Sequence, residues 1–369
     1  MLYYLLTLIN ERFAPPGFDI FHFITFRAAA AAITALFISW VVGPRIIRLL
    51  KRRQIGEAAK LEAPTSHLAK AGTPTMGGLI VLASALVPVL LWGELRDTYV
   101  WLIVVATALL GFVGFLDDYL KVVKKLPKGL IGEYKIVGQV LVGVLVGGVM
   151  YFAPEFAAHK SATMVPFWKN EMLDFGFLYI PMIVFVITAT SNAVNLTDGL
   201  DGLAIGTISI AFIAIAVICY VTGRVDTAHY LNIPYLEGSG ELAVFSAAIV
   251  GAGLGFLWYN AYPAQVFMGD TGSLALGGAL GAVMVMLKKE LLLPVLGGIF
   301  FTETVSVLVQ KAWFKYTKRK YGQGRRVFKM APIHHHFELL GWPEPKIVLR
   351  FYIIAIILAI LSLASFKVR

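Results

Sequence analysis

Charged residues are scarce in this sequence, and cysteine is almost absent. Only 15% of the 369 residues are charged and 58% are hydrophobic, whereas soluble domains carry about 25% charged residues. Cys219 is the single cysteine and lies inside an apolar run, which excludes a disulfide framework and a cysteine-based zinc site. Because a Walker A loop and a signal-peptide pattern are also missing, we expect neither ATP-driven work nor a cleavable leader.

Ten apolar segments are each long enough to cross a bilayer as a helix. A span needs about 20 mostly apolar residues, and these segments are too long and too uniformly apolar for barrel strands. They are predicted at 22–47, 74–92, 98–118, 131–152, 178–195, 203–222, 241–259, 272–288, 291–312 and 347–366. The sequence therefore predicts an all-α polytopic integral membrane protein with about ten transmembrane helices, folded as one domain over residues 1–369.

Lysine and arginine are concentrated in the loops on one side of these spans. The basic loops are 48–73, 119–130 and 313–346, and the polar links 196–202 and 260–271 lie on the same side. By the positive-inside rule that side is cytoplasmic, so both termini are predicted to be periplasmic. This placement assigns the net charge of +10 to anionic membrane lipid rather than to nucleic acid.

Acidic residues stand at the predicted cytoplasmic ends of the spans, where a charge in an apolar context usually has a function. Asp117 and Asp118 end the third span, and Asp270 precedes the eighth. Neighbouring carboxylates repel each other, and a divalent cation relieves that repulsion. The alternatives are a solvated helix end paired with Lys121 or Lys125 and, for Asp270, a helix N-cap. The local sequence alone leaves both alternatives open.

Two polar links carry candidate nucleotide-binding residues. Asn195, Asp198 and Asp201 recur every three residues, so on a helical turn they share one side. Their amide and carboxylate groups can hydrogen-bond a nucleobase and a ribose, although an N-capped turn is the structural alternative. In the link before the eighth span, Phe267 offers a ring for stacking a base, and the helix N-terminus that follows favours phosphate.

Two further segments carry polar side chains near span ends. Lys70 is a candidate phosphate-binding cation and Thr75 a hydroxyl donor, the alternative being a positive-inside lysine before a helix that begins at proline. Glu303 and Gln310 lie two helical turns apart inside the ninth span and share a face. They either form hydrogen bonds between helices, or Gln310 reaches a ligand.

Three consecutive histidines, His334, His335 and His336, lie in the last predicted cytoplasmic loop. Consecutive residues do not easily present three ring nitrogens to one zinc ion, and no thiolate is nearby in the sequence. Contacts with a diphosphate or a sugar are therefore favoured, and a purely structural loop is the alternative.

Taken together, these segments resemble the polyprenyl-phosphate N-acetylhexosamine-1-phosphate transferase superfamily and, within it, the phospho-N-acetylmuramoyl-pentapeptide transferases. The resemblance covers nearly the whole chain. It rests on residues 70–78, 117–121, 195–202, Asn260 with 267–273, and 331–337. The uninterrupted histidine run favours this branch over relatives that use UDP-N-acetylglucosamine.

The resemblance implies an enzyme that joins UDP-N-acetylmuramoyl-pentapeptide to undecaprenyl phosphate, with Mg²⁺ as cofactor and lipid I and UMP as products. This is the first membrane step of peptidoglycan synthesis, so the resemblance also implies a multi-pass protein of the bacterial cytoplasmic (inner) membrane, and a homodimer. In the resulting hypothesis Asp270, Asp117 and Asp118 hold Mg²⁺, and Asp117 orients or deprotonates the lipid phosphate. The alternative mechanism makes Asp270 or Asp118 a covalent nucleophile.

The same hypothesis divides the remaining residues between catalysis and substrate binding. His334 joins the three aspartates as a catalytic residue. The predicted substrate-binding residues are Lys70, Thr75, Lys121, Asn195, Asp198, Asp201, Asn260, Phe267, Gln310, His334 and His335. The stretch 313–330, which is basic and aromatic, is interpreted either as an interfacial segment on anionic headgroups or as part of the sugar pocket.

Two other functions compete with this reading. One is a sibling transferase that uses UDP-N-acetylglucosamine. The other is a secondary transporter or lipid flippase, because intramembrane acids and broken helices are common in transporters. Transporters place such groups near the middle of the membrane and often contain internal repeats, whereas here the polar groups gather at one side and no convincing repeat is found.

Overall fold

Helices make up most of the chain. The computed structural model describes residues 1–53, 72–126, 129–166, 168 and 172–367. The α-helices in these ranges are α1 (Leu2–Phe13), α2 (Ile24–Arg52), α3 (Gly78–Trp92), α4 (Thr98–Val122), α5 (Gly132–Phe152), α6 (Tyr179–Thr197), α7 (Leu203–Thr222), α8 (Val225–Leu231), α9 (Glu241–Asn260), α10 (Gly269–Met286), α11 (Leu293–Leu296), α12 (Gly298–Tyr321), α13 (Ile333–Glu338) and α14 (Glu344–Ala364). One antiparallel sheet, not predicted from the sequence, pairs β1 (Ala162–Met164) with β2 (Met172–Asp174).

Eight helices in the described ranges are long and apolar enough to cross a membrane. They are α2, α4, α5, α6, α7, α9, α10 and α14. Each of the ten predicted spans overlaps a helix, which confirms a polytopic helical membrane protein. The count of ten stays a prediction, because α3 has only 15 residues and the ninth segment is a pair of pieces, Glu290–Leu296 and Gly298–Tyr321, bent by 83°.

Helix α10 is almost completely buried within the bundle and packs against α3, α4 and α6. Helices in lipid gain little from apolar burial against one another, so they associate through close packing of small residues. Gly78 at the start of α3 shows how close this packing is. A Cβ atom added there would lie 2.1 Å from the backbone nitrogen of Gly272, so α3 and α10 meet through their backbones beside the acidic residues.

The two chain ends lie at the end of the bundle opposite Asp270. Asp270 is at the start of α10, and Lys289 follows the other end of that helix. The Lys289 ammonium lies 5.2 Å from the centroid of the Phe366 ring. The amine of Met1 donates a hydrogen bond to the carbonyl of Leu90, near the end of α3 that is remote from the acidic residues. Which side of the membrane each end faces stays a prediction.

Candidate active site

Three carboxylates from two helices converge at one end of the bundle. Asp117 and Asp118 lie near the end of α4, Asp270 lies in the first turn of α10, and one oxygen atom of each lies within 4.8 Å of the others. The first two side chains are buried and the third is half-buried. Mg²⁺ takes oxygen ligands and commonly uses one or two carboxylates together with water and substrate phosphate. This donor set therefore fits a hard divalent cation.

Asp118 holds the start of α10 against α4. Its Oδ1 accepts a hydrogen bond from the Asp270 backbone N–H at 3.1 Å, and its Oδ2 accepts from the Thr271 backbone N–H at 2.8 Å and the Thr271 hydroxyl at 2.6 Å. The first N–H groups of a helix have no partner within the helix, and a carboxylate there is favourable. Asp118 thus caps α10 from a neighbouring helix, and the alternative that Asp270 is itself the N-cap is wrong.

Two lysines bridge Asp117 and Asp270. The Lys121 Nζ lies 2.5 Å from Asp117 Oδ2 and 3.3 Å from Asp270 Oδ2. The Lys135 Nζ, from the first turn of α5, lies 2.8 Å from Asp117 Oδ2 and also pairs with Asp270 Oδ2. The alternative of a solvated helix end paired with a lysine is therefore half right: Asp117 pairs with Lys121, but its side chain is fully buried rather than solvated. Lys121 was predicted from the sequence, whereas Lys135 was not, because it resembles an ordinary positive-inside lysine at the start of a span.

Gly114 allows α4 to approach α10 closely enough for the carboxylates to meet. A Cβ atom at Gly114 would lie 2.1 Å from the carbonyl oxygen of Asp270, so only a residue without a Cβ fits. Gly114, like Lys135, was not predicted from the sequence. The available signal was weak: Gly111 and Gly114 lie on one helix face, a single turn before Asp117.

The link before α10 packs against the segment that carries Thr75. The backbone N–H of Phe267 donates a hydrogen bond to the Pro74 carbonyl at 2.8 Å, and the Phe267 side chain is half-buried. Thr75 is buried, and a Cβ atom at Gly269 would lie 2.9 Å from its hydroxyl oxygen. Both predicted binding residues therefore lie beside the acidic cluster. Lys70 lies outside the described residues.

Asp201 and Asn260 join the two polar links to each other. The Asp201 Oδ2 accepts a hydrogen bond from the Ala264 backbone N–H at 2.9 Å. The Asn260 Oδ1 accepts from the Gly202 backbone N–H at 3.1 Å, and its Nδ2 donates to the Val266 carbonyl at 2.9 Å. Both side chains are buried. These contacts fix the shape of the links, and a substrate contact by either residue stays a prediction.

His334 is buried between α12 and the turn that follows α6. Its Nδ1 lies 3.1 Å from Glu303 Oε1, and both side chains are fully buried. On the other side of the ring, a Cβ atom at Gly199 would lie 2.2 Å from Nε2. Asp198 ends α6 at the start of this turn and Asn195 lies in the last turn of the helix, and both are half-buried. The structure thus brings the histidine segment and the predicted nucleotide-binding turn into contact.

Gln310 and His335, two further predicted binding residues, also contact their own chain. The Gln310 Oε1 accepts hydrogen bonds from the backbone N–H groups of Val327 and Phe328, both at 3.0 Å. The His335 Nδ1 lies 2.6 Å from Glu338 Oε2. Gln310 therefore binds a loop of its own chain, so the interpretation that it forms hydrogen bonds between helices is wrong, and a ligand contact stays a prediction.

Sequence comparisons place this arrangement in a known family. The sequence model of Glycosyl transferase family 4 matches residues 100–288, and Phospho-N-acetylmuramoyl-pentapeptide-transferase signature 1 matches residues 70–82. Proteins named phospho-N-acetylmuramoyl-pentapeptide-transferase from Chlorobaculum parvum, Chlorobium limicola and Chloroherpeton thalassium are 54%, 53% and 52% identical, each over 100% of both chains. The chain therefore belongs to glycosyl transferase family 4 and, within it, to the phospho-N-acetylmuramoyl-pentapeptide-transferases.

Proposed function

We propose that this chain transfers phospho-N-acetylmuramoyl-pentapeptide from its UDP conjugate to undecaprenyl phosphate, releasing UMP, with Mg²⁺ bound by Asp270 and Asp117 in the cluster that they form with Asp118. The observation that carries the proposal is the convergence of three carboxylates within 4.8 Å in a chain that matches transferases of this name over its full length. A phosphotransferase of peptidoglycan synthesis needs such a site, because both of its substrates are phosphate anions.

The reaction brings two anions together, since a lipid phosphate oxygen attacks the sugar-linked phosphorus as UMP leaves. Positioning and charge neutralisation dominate phosphoryl transfer. When bound, Mg²⁺ supplies positive charge for the phosphate oxygens. Asp270 and Asp117 are the residues we assign to hold it. The ammonium groups of Lys121 and Lys135, which lie against these carboxylates, supply hydrogen-bond donors for the phosphates.

Direct attack by the lipid phosphate fits the contacts of Asp118 better than a covalent intermediate on that residue. Both of its oxygens accept hydrogen bonds from the start of α10. An attack through either oxygen would disrupt the contacts that fix Asp270. Asp118 is therefore assigned as a positioning residue, and Asp117 as the group that orients the attacking phosphate.

An assay of the purified chain in detergent tests the function. With radiolabelled UDP-N-acetylmuramoyl-pentapeptide, undecaprenyl phosphate and Mg²⁺, we expect labelled lipid product and UMP. Excess EDTA should lower the rate at least a hundredfold, and added Mg²⁺ should restore it. Product from UDP-N-acetylglucosamine instead would identify a sibling transferase. The absence of any chemical product without an ion gradient would favour a transporter.

Replacing Lys135 with glutamine is expected to lower turnover at least tenfold. The substitution removes one of the two cations that neutralise Asp117 and Asp270 and a donor beside the expected phosphate position. Lys124→Gln is the matched control, because Lys124 is an exposed lysine just beyond the end of α4. UMP release measures both variants. Equal rates of UMP release in the two variants would show that Lys135 does not contribute to the reaction.

The location and assembly of the enzyme belong to the same proposal. The membrane-spanning helices and the peptidoglycan precursor that relatives are named for support the bacterial cytoplasmic membrane. The acidic cluster would then face the cytoplasm, where the UDP conjugate is available. A homodimer is proposed from the family resemblance alone.

A further inference from the structure

The end of α12 and the segment after it form a strongly basic unit, defined here as the basic arm, residues 311–329. The arm contains eight cationic residues: Lys311, Lys315, Lys318, Arg319, Lys320, Arg325, Arg326 and Lys329. No acidic residue occurs between Glu303 and Glu338, and each of these glutamates lies against a histidine. The arm itself therefore contains no carboxylate that could neutralise its cations.

The basic arm is exposed and is held by hydrogen bonds within itself and with Gln310, the residue that precedes it. All residues from 311 to 321 except Thr317 are exposed. The Thr317 hydroxyl accepts a hydrogen bond from the Arg325 backbone N–H at 2.8 Å, and Gln310 binds the backbone of Phe328. The return segment thus runs back along α12. The exposed cations therefore belong to a segment with a defined structure.

Three lysines share one face of the helical part of the arm, and two aromatic rings lie on the opposite face together with Lys320, whose ammonium donates a hydrogen bond to the Tyr316 hydroxyl at 3.3 Å. Lys311, Lys315 and Lys318 recur at intervals of four and three residues and share one face. Trp313 and Tyr316, whose ring centroids are 5.8 Å apart, lie on the opposite face by the 3.6-residue period. The two rings are 44% and 50% exposed. The described part of the chain therefore leaves both faces open to a partner.

We propose that the basic arm binds anionic phospholipid headgroups at the membrane surface. A helix with lysines on one face and tryptophan on the other lies in the interface of a bilayer, where tryptophan and tyrosine sit at headgroup level and clustered lysines attract anionic lipid. The 83° bend before α12 turns this helix away from the direction of the preceding piece. The proposal concerns a lipid that is not consumed, and it goes beyond the transfer reaction.

The anionic UDP conjugate is the competing occupant, and the shape of the arm disfavours it. A single diphosphate is bound by donors that converge on one point. The lysine face extends over two helical turns and is backed by exposed aromatic rings, which suits a layer of headgroups. If substitutions in the arm weakened binding of the UDP conjugate, that result would contradict the assignment to lipid.

The test compares lipid binding by the purified chain with lipid binding by two variants. Each variant loses three positive charges. The arm variant combines Lys315→Gln, Lys318→Gln and Arg319→Gln. The control variant combines Arg45→Gln, Arg48→Gln and Lys51→Gln at the exposed end of α2. The control is suitable because Arg45 and Arg48 already donate hydrogen bonds to carbonyls of their own helix.

Native mass spectrometry with phosphatidylglycerol and phosphatidylcholine gives the affinities. We expect the unmodified chain to prefer phosphatidylglycerol at least tenfold. The arm variant should lose that preference, the α2 variant should keep it within threefold, and Lys315→Arg with Lys318→Arg should also keep it. The KM of the arm variant for the UDP conjugate in detergent should stay within twofold. A preference that survives in the arm variant, or a tenfold rise in KM, would overturn the proposal.

Discussion

Replacing Asp270 with asparagine is expected to lower turnover at least a hundredfold while the chain still folds. The substitution keeps the shape of the side chain but removes the negative charge that faces Lys121 and Lys135 and a preferred oxygen ligand of Mg²⁺. The capping contacts between Asp118 and the start of α10 involve the backbone of residue 270, so they remain possible. We therefore expect the substitution to lower the rate of the reaction and not the stability of the fold.

UMP release as a function of Mg²⁺ concentration measures this effect, and thermal melting of the purified variant checks the fold. Asp226→Asn is the matched control, since the Asp226 side chain is 90% exposed at the start of α8 and lies outside the acidic cluster. We expect the control to keep turnover within twofold. Near-normal turnover of the Asp270 variant at low Mg²⁺ would show that residue 270 is not a metal ligand.

Hydropathy predicted the position of the helices because length and apolar composition alone decide whether a segment can span a bilayer. It did not predict the break in the ninth segment, since apolar residues continue through Gly297 and Gly298 and a bend leaves no trace in mean hydropathy. It also missed α1, whose 12 residues are too few for a span. The sequence thus predicted which segments form helices, whereas the direction of each helix depends on its packing in the bundle.

The acidic cluster was predictable because carboxylates at the ends of apolar spans need a compensating partner. Asp117, Asp118 and Asp270 stand out from the sequence for that reason. Lys135 does not, because a lysine at the predicted cytoplasmic end of a span already has an explanation. Gly114 has no side chain, so no functional group marks it in the sequence. Its role depends on which backbone lies opposite, and only the tertiary structure supplies that information.

Replacing Gly114 with alanine is expected to lower turnover about a hundredfold. The added Cβ would lie 2.1 Å from the Asp270 carbonyl oxygen, so α4 and α10 must separate by about 1 Å before the contact is tolerable. A displacement of about 1 Å within a catalytic constellation can lower the rate about a hundredfold. Alanine itself favours a helix over glycine by about 0.5–1 kcal/mol, so the loss cannot come from a weaker helix.

Gly148→Ala in α5 separates this steric effect from any general effect of the substitution. No atom lies within 4 Å of a Cβ added at Gly148, so that variant gains the same helix preference without a clash. We expect it to keep turnover within twofold and to melt no lower than the unmodified chain. If Gly114→Ala also kept full turnover, close contact between α4 and α10 would not be required. The catalytic geometry would then have to depend on contacts other than this backbone approach.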